Sequence, residues 1–256
     1  MPLSKTGSAI PRIIHQTCGC KELPPLIHKG IAALKARNPG WEYRYYDDQA
    51  VEDYIRLHFP HYMPVFQRIN PKYGSAKADL FRYLLMYREG GVYLDIKSTF
   101  TQPLDEVLHS SDRYLLSHWT NEIGTRYALW GTYDEIANPR GEFQQCFIVC
   151  APGHAFLAAV IERVIGNLTH YDRARDGVGR RLVHVTGPVA YTLAITPLLA
   201  SHVHRLADSH SELSFVYNFY KDGIINGHTE LFDYHYRSLD EPIVLNGTDG
   251  PMSPAG

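Results

Sequence analysis

Four side chains in one short segment could do chemistry together: Asp79, Arg82, Asp95 and Lys97, within S-A-K-A-D-L-F-R-Y-L-L-M-Y-R-E-G-G-V-Y-L-D-I-K at residues 75–97. Asp79 and Arg82 are three apart, so a helix places them on one face. Their neighbours Ala76, Ala78, Leu80, Phe81, Leu84 and Leu85 are apolar, and a charged pair in such company is not mere solvated surface. Carboxylates accept hydrogen bonds from hydroxyls, and guanidinium and ammonium groups stabilise charge on a phosphate. The set therefore suits a ligand that carries both.

Two elements must position these groups. Residues 74–88 have the composition of a buried helix, Gly90-Gly91 breaks it, and residues 92–96 (V-Y-L-D-I) read as a fully buried strand. From Asp79 to Glu89 a helix climbs about 15 Å, and from Gly91 to Asp95 a strand returns about 13 Å. Asp95 is thus expected level with the Asp79/Arg82 pair, at the carboxyl end of a strand, where open α/β sheets bind ligands. The plainer reading is an i,i+3 salt bridge beside an ordinary strand-end aspartate.

The rest of the chain alternates in the same way. A strand is expected over 10–16, a helix over 24–37 stopped by Asn38-Pro39-Gly40, and a half-buried strand over 41–46. Asp47 or Asp48 caps a helix to about residue 58, and a short helix covers 61–69. Strands are read at 114–118 and 145–150, and helices from Pro152-Gly153-His154 to about 165 and from Gly187-Pro188 to about 199. No internal repeat is visible. The pattern predicts an α/β fold of one domain over residues 1–245, with a Gly-, Pro- and Ser-rich flexible tail at 246–256.

Composition excludes several classes. The 256 residues are 45% hydrophobic and 20% charged, with a net charge of -2. Disorder, collagen and coiled coil fall away, and no global field is present to hold a nucleic-acid backbone. The 18 Tyr and 14 His suit sugars, bases and phosphates as well as ordinary surfaces. No stretch reads as a transmembrane segment and the start lacks a secretory pattern, so a soluble, cytoplasmic protein is expected, with at most transient contact at the inner membrane face. Cys18-x-Cys20 and Cys146-x3-Cys150 lack the usual zinc spacing and are expected to be reduced, structural thiols.

The order I-P-R-I-I-H-Q-T, then A-x-x-A-D-L-x-R-Y, then G-G-V-Y-L-D-I-K, resembles glycosyltransferase family 32. This is the sugar-binding DXD-motif family that includes yeast α-mannosyltransferases and bacterial polysaccharide glycosyltransferases, with the glucosylating toxins more distant. The resemblance is fullest over residues 10–104, and F-Q-Q-C-F-I-V-C-A-P-G-H-A-F-L, T-G-P and Y-H-Y-R-S continue it. It implies a GT-A, Rossmann-like fold with a mixed, mostly parallel sheet. The implied reaction moves a hexose, with retention, from a nucleotide sugar to a hydroxyl of a polysaccharide, lipopolysaccharide or glycolipid. A UDP-sugar is favoured, with a GDP-sugar as the second choice.

Carried over by position, the resemblance puts His15, Gln16 and Thr17 along the nucleoside, and Tyr83 at the donor site. It has Asp79 and Arg82 holding the donor sugar, and Asp95 as the first aspartate of the DXD. Gln144 and Gln145 fall where the family presents an amide, and neighbouring strand residues face opposite ways, so at most one does so. Gly187 and Pro188 offer a helix start whose N–H groups could meet phosphate or acceptor. The departure is Lys97 at the third DXD position. Either its ammonium replaces the divalent cation, Mn or Mg, or Lys97 turns away and a metal sits on Asp95 with His235; a third reading has it as a surface lysine.

No carboxylate is evidently placed as a nucleophile, which favours front-face substitution with the leaving phosphate taking the acceptor's proton. The rivals are a two-carboxylate hydrolase and a silent sugar-nucleotide-binding protein. Arg82 beside Asp79 is expected to lower the Asp79 pKa, against the hydrolase.

Overall fold

The computed structural model describes residues 7–19, 22–219 and 235–245. Pro11 sets the start of the chain's first element: its carbonyl accepts the Ile13 amide at 2.9 Å, and strand β1 runs Ile13–Thr17 rather than from residue 10. Pro25 opens helix α1, Pro25–Arg37, at the position where a missing N–H costs nothing. Asn38 ends it by turning its side chain onto the Leu34 carbonyl, 2.8 Å away. Strand β2, Glu42–Tyr46, follows, and the Asp47 carboxylate caps helix α2, Asp48–His58, by accepting the Ala50 amide at 2.8 Å. Helix α3 is short, Met63–Arg68.

Helix α4, Gly74–Glu89, is the spine of the fold, with ten of its sixteen residues buried. A helix apolar on most sides is stable only inside, and α4 packs between the sheet and helix α6, Ala155–Thr169. Gly90 and Gly91 then reverse the chain into strand β3, Gly91–Asp95, with φ of 67° and 98°. A Cβ on Gly91 would stand 2.5 Å from the Ile13 carbonyl oxygen, so this position needs glycine both for its backbone angle and for the approach of β1.

The remaining strands are β4 (Thr99–Phe100), β5 (Tyr114–Leu116), β6 (Phe147–Cys150), β7 (Arg205–Leu206) and β8 (Phe215–Val216). The main sheet has the order β2-β1-β3-β6-β5-β7, and β4 pairs with β8 apart from it. β1 is parallel to β2 and β3, β6 is antiparallel to β3 and β5, and β7 is parallel to β5. Every strand of the sheet but β6 therefore points one way, as the mixed, mostly parallel prediction requires. The order reverses about β1, with Thr17 and Asp95 side by side at the carboxyl ends of β1 and β3. That is the crevice where such sheets take ligands.

Helices α5 (Leu104–Val107), α7 (Arg173–Asp176) and α8 (Leu182–Val185) are too short to leave a periodic signal. The helix expected over 187–199 is helix α9, Pro188–Ile195, followed by a 3₁₀ segment, Thr196–Ser201, because Pro197 has no N–H to continue the α pattern. Residues 179–201 match a membrane span in length and apolarity, yet 61% of that window is buried within the protein and it breaks at Gly187. It is core here. The expected tail at 246–256 lies outside the described residues. Cys146 and Cys150 are free and buried, as expected, whereas Cys18 is disulfide-bonded. The expectation of reduced thiols rested on a spacing that does not suit zinc, and a poor zinc spacing says nothing about whether a thiol is oxidised.

Gly91→Ala is expected to destabilise the fold by on the order of 2–3 kcal/mol, since it adds left-handed strain to a clash with backbone. Urea melts of the two proteins measure it, and a change under about 0.5 kcal/mol would contradict the close-approach assignment.

Candidate active site

The site is organised around a buried cation. Arg82 and Asp79 project from α4 with side chains 7% and 5% exposed, and Asp95 stands at the end of β3 with its side chain 32% exposed. Arg82 Nη1 lies 2.9 Å from Asp95 Oδ1, while Nη2 lies 3.4 Å from Asp79 Oδ1. The stronger pair is thus the long-range one, not the i,i+3 pair that the sequence offers first. Arg82 also donates to the Gln145 carbonyl at 3.0 Å and to the Ala78 carbonyl at 3.3 Å, and lies 4.8 Å from the Tyr93 ring centroid. Burial works against the guanidinium, but Asp95, Tyr93 and Asp79 more than offset it, and its pKa moves up.

Asp79 is held mainly by neutral donors. Thr186 Oγ1 donates to one oxygen at 2.8 Å and Gln145 Nε2 to the other at 3.2 Å. Burial raises its pKa, with Arg82 and these two hydrogen bonds pulling the other way. This corrects the expected lowering: Arg82 spends its nearer contact on Asp95, so desolvation dominates at Asp79. With one donor on each oxygen inside the protein, Asp79 is tied to Thr186 and Gln145 as well as to Arg82.

Gln145 faces this network and Gln144 does not, although both precede β6 rather than lying in the strand expected from residue 145. Tyr83 is fully buried, its hydroxyl 2.9 Å from the Thr186 carbonyl and 3.2 Å from Gln145 Oε1. It braces Gln145 and the T-G-P turn. Thr186 itself was not singled out from the sequence, although it opens the T-G-P motif. Gly187, expected to offer its N–H to a phosphate, instead donates to the Leu182 carbonyl at 3.2 Å. A Cβ there would stand 2.8 Å from Val183 Cα, so its smallness serves the packing of α9 on α8. Pro188 carries no N–H at all.

The three β1 residues are likewise committed internally. His15 is fully buried, with its ring nitrogens 3.1 Å from the Gly90 carbonyl and 3.2 Å from the Tyr46 hydroxyl, and burial lowers its pKa to about 4. Gln16 donates to the Asp95 carbonyl at 3.2 Å and accepts from Tyr43 at 2.9 Å. Thr17 donates to the Tyr46 carbonyl at 2.8 Å. These side chains help fix the ends of β1, β2 and β3 in register. The exposed chemistry of the crevice falls to Asp95 and Lys97.

Lys97 is half-buried, which lowers its pKa, while Asp95 draws it back up. Its charge is also felt at His235, whose pKa falls to about 4 through burial, Arg237 and Lys97. A lysine in that electrostatic setting is not a plain surface residue. The same setting tests the metal site expected on Asp95 and His235. Among the described residues no three His, Cys, Asp or Glu gather as a cation would need. Asp95 Oδ1 already serves Arg82, and an ammonium stands at the position of the second aspartate. These residues do not fit a resident divalent cation. Surface cavities of about 310 Å³ beside Asn167 and about 350 Å³ beside Asn70 lie away from this crevice and include none of its residues.

One group beside the site has no counterpart among the residues singled out in the sequence. Glu142 is 6% exposed; Trp119 Nε1 donates to its Oε1 at 2.8 Å, and its buried Oε2 has no partner. Burial pushes its pKa to about 7, against the pull of Trp119 and Arg237. Because the folded form binds this proton more tightly than the unfolded chain does, stability falls as pH rises from 4.5 to about 7. Glu142→Gln should therefore gain about 3 kcal/mol on wild type between pH 5 and pH 8. Chemical denaturation at the two pH values measures the difference; equal gaps would contradict the buried, raised carboxyl.

Comparison with known proteins agrees with this geometry. Residues 24–114 match the glycosyltransferase sugar-binding region containing DXD motif. The chain is similar to inositol phosphoceramide mannosyltransferase 3 of Schizosaccharomyces pombe, 32% identical over 109 residues, which are 41% of this chain and 29% of that protein. It is also similar to the initiation-specific alpha-1,6-mannosyltransferase of Candida albicans, 33% identical over 137 residues, covering 49% of this chain and 35% of that protein. The chain thus spans about a third of the length of these relatives. Its fold is that of the PaToxG glycosyltransferase, with a TM-score of 0.56 at 14% identity over 75% of this chain and 71% of that one. The UDP-bound glycosyltransferase domain from the YGT toxin gives 0.52 at 8% identity, over 78% and 80%. Asp95 and Arg82, at the carboxyl end of β3, both lie within the 24–114 segment that is similar to the glycosyltransferase sugar-binding region containing DXD motif.

Proposed function

We propose that this chain transfers a hexose, mannose on the names of its yeast relatives, from a nucleotide-diphospho-sugar to a hydroxyl acceptor with retention of configuration. The observation that carries the reading is Asp95: an aspartate half-exposed at the sheet's ligand crevice, ion-paired to a guanidinium that is itself sealed from water. A carboxylate so placed accepts hydrogen bonds from sugar or ribose hydroxyls without turning, because Arg82 and Tyr93 hold it. The Lys97 ammonium supplies positive charge for the departing diphosphate. The phosphate oxygen released as the glycosidic bond breaks takes the acceptor's proton on the same face. Asp79 is too deeply bonded to Thr186 and Gln145 to flank a scissile bond, which removes the two-carboxylate hydrolase despite its raised pKa.

Asp95→Asn keeps the shape of the side chain and weakens its charge-assisted bonds, and should lower donor consumption about a hundredfold or more while leaving the circular dichroism spectrum unchanged. Asp95→Ala is the poorer probe, because it strips the sealed Arg82 of its nearer partner. Wild-type turnover of UDP- and GDP-hexoses by Asp95→Asn would overturn the site.

Lys97 gives the second test. Donor consumption should survive exhaustive chelation, and Lys97→Ala should lose on the order of 3 kcal/mol of transition-state stabilisation. Lys97→Asp should be inactive or become dependent on added manganese. Loss of wild-type activity on chelation, restored by manganese, would return a cation to Asp95.

A further inference from the structure

We propose that Glu142 and the aromatic cluster of Trp119, Tyr127, Trp130 and Tyr217 form the acceptor subsite, taking a polyhydroxylated ring such as a hexose or a cyclitol. The inference rests on the transferase reading for the word acceptor, but the binding site stands on its own geometry.

The 30-residue stretch between β5 and β6, residues 117–146, is held by the His118–Phe143 bridge and has no helix or strand of its own. Loops of that length inside a compact domain commonly carry function. This one is built around Glu142. The Glu142 amide donates to the Gly131 carbonyl at 2.8 Å, and Gly131 has φ of 73°. A Cβ at Gly131 would stand 2.7 Å from Glu142 Cγ and 2.9 Å from Trp119 Cδ1, so a side chain is given up there to seat the carboxyl against the indole. After all this Glu142 Oε2 is left buried and unpartnered, as is Gln144 Oε1 two residues on. Leaving such an acceptor unsatisfied is costly, and a native fold retains that cost where something else supplies the donor.

The cluster has the composition of a sugar platform. Trp119 packs against Tyr127, Trp130 and Tyr217 with ring centroids all 5.1 Å away. Trp119 is buried, whereas the other three are partly exposed, so part of the cluster is open to a ligand while its indole holds the carboxyl. Aromatic faces receive the apolar faces of a pyranose or cyclitol, and a few fixed polar atoms set its orientation. The cluster adjoins the donor crevice: Ser98 Oγ donates to the Tyr217 carbonyl at 2.7 Å, and the Asp95 amide donates to the Cys146 carbonyl at 2.8 Å. An acceptor hydroxyl held here lies beside the strand end that holds the donor.

Besides Trp119, the groups that face Glu142 are Arg237, Tyr133, Tyr236, Cys146 and His118, whose ring lies 3.0 Å from the Glu142 carbonyl. The phenols and the thiol are raised by burial and His118 is lowered by it, while Arg237 stays charged. From pH 6 to pH 8 Glu142 is therefore the member of this group that changes charge.

The test is tryptophan fluorescence of a Trp41→Phe protein, which limits emission to Trp119 and Trp130, titrated with methyl α-mannopyranoside and with myo-inositol. Wild type should show a saturable change that tightens as pH rises through about 7. Glu142→Gln should bind about tenfold more weakly at pH 8 and lose the pH dependence, and Trp130→Ala should weaken binding at every pH. UDP and GDP affinity should be unchanged in both variants. No saturable change with either sugar, or equal affinity in wild type and Glu142→Gln at pH 8, overturns the subsite. Donor consumption by the same proteins reports on the transferase reading separately, since turnover without this binding condemns only the subsite and binding without turnover condemns only the reaction.

Discussion

Everything at the carboxyl end of the sheet depends on keeping a guanidinium charged while it is sealed from water. Isolated, such a charge would cost several kcal/mol, so Arg82 requires carboxylates at fixed places. One comes from its own helix, Asp79, and the nearer one from β3, Asp95. That requirement ties α4 to β3 across the double glycine that reverses the chain between them. Gly91 lets β3 lie close enough to β1 for Asp95 to stand beside Thr17. The Gln145 carbonyl and side chain then join the same network from the segment entering β6. Helix, two strands and the T-G-P turn meet on one cation.

Much of this was legible because the helix and strand periods differ. Counting rise per residue along α4 and back along β3 places Asp95 beside the Asp79/Arg82 pair, and the structure brings all three together. What the count does not give is which carboxylate is nearer, since that turns on side-chain directions. The i,i+3 spacing pointed to Asp79, whereas the neutral donors Thr186 and Gln145 occupy Asp79 and leave Arg82 to Asp95. Thr186 comes from more than a hundred residues away, and no local pattern could announce it. His15, Gln16 and Tyr83 were placed at a ligand by the family resemblance, and a motif matched by position carries no information on the internal hydrogen bonds that the structure shows these side chains making.

Glu142 was illegible for a different reason. A glutamate in a loop of Gly, Asn and Arg reads as solvent-exposed, and its burial follows from two distant tryptophan- and glycine-bearing turns folding over it. Its raised pKa and orphan oxygen are consequences of tertiary packing alone. The chain thus holds two carboxylates near one crevice in opposite conditions. Asp95 lies against the Arg82 guanidinium, and Glu142 lies against an indole with its pKa raised to about 7. Environments that separate two carboxyl groups in this way commonly assign them different partners.

The lysine at the third DXD position follows from the same electrostatics. A carboxylate that must compensate a sealed guanidinium has one oxygen at 2.9 Å from it, and a divalent cation on that oxygen would set two positive charges against each other at close range. With aspartate at position 97, two carboxylates would share the burden of such a cation. With Lys97, the positive charge is part of the chain, placed beside Asp95 and held there by burial. Burial charges it a desolvation cost that Asp95 offsets, and it is a point charge on a flexible stem rather than a bridge between two phosphates. On the proposed reading, the DXD strand, its glycines and its Arg82 anchor serve a site whose positive charge comes from the chain itself.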